Sequence, residues 1–374
     1  MATLPRLDQL AETQATYLSL LNALEYEPAF GGEVRRDAAT RLVTATDNSL
    51  YQLLPQAVVY PRSTADVAVL MRLLEAPEFQ EVTVAPRGGG TGTNGQSLTE
   101  GLVLDLSRHM NAIVDLDLEA GWVRVQPGVV LDDLNRYLAP HGVTFGPALS
   151  PSSRATLGGM ISTDAAGKGS RIHGRTSEHV LGLTTVFLGG GVWRSTPLEG
   201  EPLSEAQAHE GLVGHVHREV PRILQSYEDA IREDLPQLKR FMTGYDLVHS
   251  WDGAAQRLDL SRLLAGSEGT LGVLTEATLR VVPIPSASRL VVLRYKSFSD
   301  ALDHAQFLAE TRPGAIETVD ETVVELARKD IIWHRVGPLL DRPGEAAARA
   351  VNLVEYEGPD VEAVTAQAGE LLAQ

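Results

Sequence analysis

One stretch limits what this chain can become. Val82-Thr83-Val84-Ala85-Pro86 reads as a β-branched strand that ends at a proline. It runs straight into Arg87-Gly88-Gly89-Gly90-Thr91-Gly92-Thr93-Asn94-Gly95-Gln96. With so few side chains, the backbone can approach a ligand closely. Glycine also admits positive φ, so successive N–H groups can converge into a nest for an anion. The expected guest is a phosphate or pyrophosphate.

Gly90, Gly92 and Gly95 spell G-x-G-x-x-G after a predicted strand, as a Rossmann fingerprint would. That fingerprint requires a helix facing the pyrophosphate. Here only Gln96 to Gly101 separates the last glycines from the next strand, Leu102-Val103-Leu104-Asp105-Leu106. A helical crossover takes about a dozen residues, so the Rossmann reading fails, and Asp115 at the acidic spacing is coincidental. Gly167-Lys168 resembles the tail of a P-loop, but Ser162 stands where the leading glycine belongs and Gly169 where a hydroxyl is needed.

Composition removes other classes. A net charge of −17 argues against a nucleic-acid partner. The absence of cysteine excludes disulfides, thiolate catalysis and cysteine-held clusters within these residues. The first residues carry no signal-peptide pattern, and no run approaches the roughly 18 apolar residues of a membrane span. A cytoplasmic protein is expected, of about two domains at 374 residues.

In chain order, residues 6–25 show helical periodicity through Leu7, Leu10, Tyr17, Leu20, Leu21 and Leu24. Residues 35–52 read as an irregular approach. A strand–helix pair follows over 57–74 with Ser63 or Thr64 as N-cap. An antiparallel pair is expected at 112–126 and a helix at 130–139. Strands are expected at 180–188 and 192–194, and a mostly helical insertion over 201–262. Beyond Pro283 and Pro285 the pattern restarts as three strand–helix units: strands at 290–295, 315–319 and 350–356, with helices at 299–310, 321–328 and 361–372.

Two further stretches are ligand-shaped. Pro147 to Gly167 is almost wholly small residues, and Gly158-Gly159 suggests a helix start pressed against a flat ligand or another backbone. Gly266-Ser267-Glu268-Gly269-Thr270-Leu271-Gly272-Val273 is a glycine-punctuated turn into a strand; Ser267 lacks the nucleophile-elbow pattern. His215 and His217 fall on an expected helix, where i and i+2 diverge, which disfavours a metal pair.

Taken in order, Pro86–Gln96, Pro147–Gly167, Arg171-Ile172-His173-Gly174, Thr243-Gly244-Tyr245-Asp246-Leu247 and Gly266–Thr278 resemble the vanillyl-alcohol-oxidase (PCMH-type) FAD-binding superfamily. Within it they are most similar to the N-terminal part of the bacterial FAD and iron–sulfur D-2-hydroxyglutarate dehydrogenases. The resemblance implies an α+β fold: an N-terminal helical segment (1–54), a PCMH-type FAD-binding domain of two α+β subdomains (55–283), and an incomplete ferredoxin-like α/β cap (284–374). The cap lacks a closing strand, so the sequence is expected to be truncated within it. In the relatives, the base, the metal-binding histidines and the cysteine-rich cluster region come later, so no catalytic residue, metal or iron–sulfur cluster is assigned here.

The same resemblance implies cofactor contacts. Pro86, Arg87, Gly88, Gly89, Gly90, Thr91, Gly92, Thr93, Asn94 and Gln96 would hold the pyrophosphate. Pro151, Ser152, Thr156, Gly158, Gly159, Ser162, Thr163 and Ala165 would follow the flavin and ribityl chain, with Gly169, His173 and Gly174 beyond. Val180, Glu268, Gly272 and Val273 would complete the walls. The glycine loop has no histidine, so FAD is expected to be held non-covalently. His173 has a second reading as a structural histidine. Arg328 is the candidate for a substrate carboxylate, with a solvated helix-end arginine as its alternative. The implied activity is oxidation of a D-2-hydroxy acid of the D-2-hydroxyglutarate, D-lactate or glycolate class by hydride transfer to flavin N5. The electron acceptor is left open. Alternatives are a flavin module, inactive alone, that docks a redox partner, or a sugar or alcohol oxidase of the same superfamily.

Overall fold

The computed structural model describes residues 12–236, 238, 244–341 and 344–373. Leu7, Leu10 and Thr243 lie outside them. The chain divides into two compact units, residues 1–166 with 175–282, and residues 167–174 with 283–374.

The first unit opens with α1 (Ala15–Tyr26), whose Leu20, Leu21 and Leu24 are fully buried. Each such leucine contributes about 1.5–3 kcal/mol by leaving water. β1 (Glu33–Arg35), β2 (Ala57–Tyr60), β3 (Val84–Arg87) and β4 (Leu102–Asp105) form a sheet in the order β1-β2-β4-β3. Between β1 and β2 lies α2 (Ala38–Thr44), where the sequence pattern suggested no regular structure. Its start is fixed by the Asp37 carboxylate, which accepts from Thr40 N, rather than by an apolar stripe. α3 (Thr64–Leu73) is capped by the Ser63 hydroxyl, which accepts from Asp66 N, and packs Val67, Leu70 and Met71 onto the sheet.

Pro86 lies inside β3, opposite Leu104. It is tolerated there because β3 is the sheet edge, where one side of the strand needs no ladder donor. β3 and β4 run parallel. Parallel neighbours need a crossover, and residues 88–101 make it without a helix. The glycine loop is itself the connection.

The second sheet of this unit is antiparallel throughout. β5 (Ile113–Asp117) and β6 (Trp122–Val125) are followed by α4 (Leu131–Leu138), the short β7 (Val143–Thr144) and α5 (Leu157–Ser162). After α6 (Ser170–His173), which belongs to the second unit, come β8 (Val180–Val186) and β9 (Val192–Ser195). The insertion holds α7 (Gly200–Ala208), α8 (Gly211–Ser226), α9 (Glu228–Asp234), a hairpin of β10 (Trp251–Asp252) and β11 (Arg257–Leu258), and α10 (Leu260–Leu264). Pro221 inside α8 cannot donate to His217 O, and Gln207 Nε2 supplies that bond instead at 3.3 Å. His217 donates from Nδ1 to Val213 O at 2.7 Å and packs edge-on to Trp193. It is a core histidine.

β12 (Val273–Arg280) then enters the middle of the sheet, giving the order β5-β6-β12-β8-β9, and β13 (Val282–Pro283) closes the run. α4 and α5 bury Leu131, Leu134, Leu138, Leu157, Met160 and Ile161 with Val123, Val125, Leu183 and Leu279. Val186 and Val273 belong instead to the core beneath the first sheet. The two α+β layers are thereby fastened where β8 meets β12, next to the glycine loop's turn partner at 266–272.

In the second unit, β14 (Ala287–Tyr295), α11 (Phe298–Glu310), β15 (Ala315–Val319), α12 (Glu321–Lys329), α13 (Trp333–Leu340), β16 (Ala350–Gly358) and α14 (Val361–Ala373) follow one another. The sheet order is β14-β16-β15, with β16 antiparallel to both neighbours. A third strand inserted between two that a helix connects is the split βαβ of ferredoxin-like folds. α11 and α14 cover one face through Leu308, Val364 and Leu371. α13 escaped the sequence reading because Pro338 lies within it.

Among the described residues no helix is long and apolar enough to cross a membrane.

Candidate functional site

Strand β3 delivers Arg87 to the mouth of the glycine loop. The guanidinium turns back into the protein, where Nη2 donates to Thr46 O at 2.7 Å and Nη1 to Ser97 Oγ at 3.3 Å. Ser97 Oγ in turn donates to Asp47 Oδ2 at 3.1 Å. Arg87 therefore pins both ends of the loop to residues 44–47. Gly90 and Gly95 have φ of 61° and 77°, the left-handed region that glycine enters without strain. Gly88, Gly89 and Gly92 serve a different need. A Cβ on Gly88 would overlap Thr156 Oγ1, one on Gly89 the Arg154 carbonyl oxygen, and one on Gly92 would come within 2.7 Å of the Gln96 side chain.

The opposing wall is the start of α5. Thr156 is its N-cap, and its hydroxyl accepts from Gly159 N at 3.4 Å. Gly158 is pressed on Pro127, where a Cβ would stand 2.6 Å from the proline ring. The third wall hangs from this helix. Gly266 N donates to Ile161 O and Glu268 N to Ser162 O, each at 2.9 Å. Gly269 is closed against Pro86, and Gln96 Nε2 donates to Glu268 Oε1 at 3.4 Å. These three walls enclose a cleft of about 550 Å³. A second, more open depression of about 570 Å³ is lined by Ser107, Asn111, Asp133 and Arg154. Gly89 and Thr156 line both, so the two adjoin where the glycine loop meets the start of α5, a waist between two lobes if one ligand fills both.

The charged groups of the cleft lie at its floor. Asp164 and Arg175 both line it and are 8% and 4% exposed. Arg175 Nη1 meets Asp164 Oδ2 at 3.0 Å and Nη2 meets Asp246 Oδ2 at 3.1 Å. Ser177 donates to Asp164 through its backbone N at 2.8 Å and its hydroxyl at 3.1 Å. Burial raises the Asp164 carboxyl above the usual range, and neither the Ser177 bonds nor Arg175 brings it back. For Asp246 burial also works upward, but hydrogen bonds from the His249 ring and backbone, with the charges of His249 and Arg175, carry it below the usual range. Asp164 itself holds a left-handed backbone, φ 45°, uncommon for a residue with a side chain.

Comparison with known proteins fits this architecture. A family described as an FAD binding domain matches residues 55–196, and one described as the C-terminal domain of FAD linked oxidases matches residues 284–374. The chain carries the two domains that make up FAD linked oxidases. It is 44% identical over 377 residues to D-2-hydroxyglutarate dehydrogenase of Escherichia coli strain K12, covering 99% of the chain and 37% of that relative. It is 48% identical over 353 residues to the enzyme of the same name from Pseudomonas putida strain KT2440, covering 94% and 35%. The chain thus spans little more than a third of the length of these relatives. Among solved structures, an alkyldihydroxyacetonephosphate synthase superposes with a TM-score of 0.67 at 18% identity, over 99% of the chain and 62% of that protein. At that identity the likeness concerns the fold.

Pro86 to Asn94, Gln96, Pro151, Thr156, Gly158, Gly159, Ser162, Thr163, Ala165, Glu268 and Gly272 meet around the cleft. Other sequence candidates lie elsewhere. The Ser152 carbonyl accepts from Asp132 N at 3.2 Å, an attachment to α4. Val180 and Val273 are strand residues buried in the two cores. Gly169, His173 and Gly174 belong to the second unit, on α6 and its ends, where Arg171 Nη2 donates to Ala309 O at 2.9 Å.

Arg328, the sequence candidate for a substrate carboxylate, is engaged within the second unit. Its guanidinium meets Asp341 Oδ2 at 2.9 Å and Oδ1 at 3.0 Å, donates to Ala348 O at 2.9 Å and stacks over Trp333. The fork is spent on joining α12 and α13 to the segment before β16.

Asp164, Arg175, Gly244, Gly266 and Gly269 also line the cleft; all but Arg175 fall within the stretches that carry the resemblance, though none is among the expected cofactor contacts. Gly266 and Gly269 have φ of 81° each, and their place in the Gly266–Gly272 run was the available signal. Nothing local marks Arg175, because its partner Asp246 is 71 residues away.

Proposed function

We propose that the chain binds one FAD in this cleft and serves the oxidation of a D-2-hydroxy acid to its 2-oxo acid. The observation that carries the reading is the waist at Gly89 and Thr156. There, backbone stands where any Cβ would collide, between two lobes of similar volume. A dinucleotide with a pyrophosphate centre and two ring-bearing ends has that form. The fit favours the pyrophosphate against the 88–96 backbone, the flavin in the walled lobe of 550 Å³ and the adenosine in the open one. A site made of glycine backbone, small residues and a few polar groups is what close approach to such a ligand requires.

FAD would supply the hydride acceptor for the hydrogen on the substrate Cα. The chain's own contribution is binding and orientation. Arg87 and Ser97 keep the loop closed, Thr156 fixes the start of α5, and Glu268 and Gln96 tie the loop to the third wall. The similarity to D-2-hydroxyglutarate dehydrogenases supports that acid as first substrate, with D-lactate and glycolate in the same class.

The test has two stages. The purified chain is titrated with FAD, followed by flavin fluorescence, and is expected to take up one equivalent. The loaded protein is then mixed without oxygen with D-2-hydroxyglutarate, D-lactate, glycolate and the L-enantiomers. Loss of the visible flavin absorbance with a D-acid supports the reading. No uptake of FAD would refute the cofactor assignment, and uptake without bleaching by any D-acid would refute the substrate assignment for this chain.

A further inference from the structure

The floor of the cleft carries more negative charge than its geometry needs. One carboxylate would neutralise the buried Arg175, yet two converge on it from opposite sides, Asp164 from the cleft wall and Asp246 from beyond. All three side chains are nearly inaccessible, at 8%, 4% and 2% exposure. Charges taken out of water are screened weakly, so the uncompensated one is felt across the cleft. Asp164 keeps its place although its backbone is left-handed, a strain of the kind that persists at functional sites. Other charged groups face the cluster too. His249 lies on the outer side of Asp246, Glu178 accepts from Arg175 N at 3.0 Å, and Arg262 reaches Ser177 Oγ at 3.4 Å while paired with Asp259.

We infer that Asp164, Arg175 and Asp246 set the reduction potential of a flavin held in the walled lobe, the two carboxylates holding it low. Two-electron reduction leaves added negative charge on the flavin ring. A net negative floor disfavours that state, and a neutral or positive floor favours it. The inference rests on the FAD reading above. It assigns Asp164 and Arg175 an electrostatic part in the chemistry, with Asp246 acting through Arg175 as a positioning residue.

The experiment measures the potential of the FAD-loaded chain by equilibration with a reference dye, at a series of pH values from neutral to mildly alkaline. Asp164→Asn is expected to raise the equilibrium constant for reduction about tenfold, which is about 30 mV for a two-electron couple. Asp246→Asn should raise it severalfold. Arg175→Met should lower it, and Arg175→Lys, which keeps the charge, should stay near the parent. Opposite signs for loss of a carboxylate and loss of the guanidinium are something that damaged packing does not produce. If Asp164→Asn does not fold, Asp246→Asn, which lies off the cleft wall, decides. Potentials unmoved in the folded variants, or all displaced in one direction, would overturn the inference. A parent chain that takes up no FAD would instead overturn the cofactor reading.

Discussion

Gly89 stands so close to the carbonyl oxygen of Arg154 that a Cβ at position 89 would overlap it. The obstacle is backbone on both sides, so no rotamer change relieves it. Gly89→Ala is therefore expected to force the loop away from α5, at about 1–3 kcal/mol for overpacking, and to abolish FAD uptake. Gly191→Ala is the control, because its Cβ would meet nothing within 4 Å and its φ is not left-handed. Fluorescence titration checks both. Near-parental affinity in Gly89→Ala would show that the waist is not the diphosphate cradle.

The second prediction concerns attachment. Residues 88–96 offer two hydroxyls and two side-chain amides but no histidine that could carry a flavin covalently. Acid precipitation of the loaded protein should leave all the yellow colour in the supernatant. Flavin in the pellet would contradict non-covalent binding.

Much of this site is local, and so it was legible. A glycine run after a β-branched strand, a small-residue run before α5 and a glycine-punctuated turn before β12 each declare themselves within a few residues. What the sequence hid is long-range. Gly89 looks like a candidate for positive φ, yet it is there because Arg154 O occupies the space a side chain would need. Arg175 looks like an ordinary helix-flanking arginine until Asp246 folds onto it. α2 and α13 were missed for local reasons. The first is short and fixed by its Asp37 cap, and the second contains Pro338. The pairing of Arg328 was hidden too, because a helix-end arginine reads as solvated or ligand-binding, while its partner Asp341 lies beyond the next helix.

Arg328 leads to the third prediction. Its bond to both oxygens of Asp341 and to Ala348 O holds the α12–α13 pair. Arg328→Ala should destabilise the second unit by about 2 kcal/mol, the scale of lost hydrogen bonds to charged groups. In a double-mutant cycle with Asp341→Ala, the two losses should fall well short of adding. Additive losses would show that the pair is not coupled. The affinity for hydroxy acids should be unchanged in Arg328→Ala, and a selective loss of that affinity would restore the substrate role.

The last prediction uses the two carboxyls that share Arg175, because their pH signatures have opposite signs. The Asp246 carboxyl is depressed in the folded chain, the His249 and Arg175 interactions outweighing burial. It therefore contributes stability that is present above the ordinary aspartate value of about 3.9 and is lost as pH falls through the depressed value. Asp246→Asn should be less stable than the parent by about 2 kcal/mol near neutrality, and that gap should close in acid. Asp164 is raised by burial, so its ionised form costs stability, and the cost disappears as pH falls through its raised value. Relative to the parent, Asp164→Asn should therefore fare better at neutral pH than in acid. Thermal melts of the three proteins across that pH range check both signs at once. An Asp246→Asn gap that stays constant down to strong acid would show that its hydrogen bonds, and not its charge, carry the contribution.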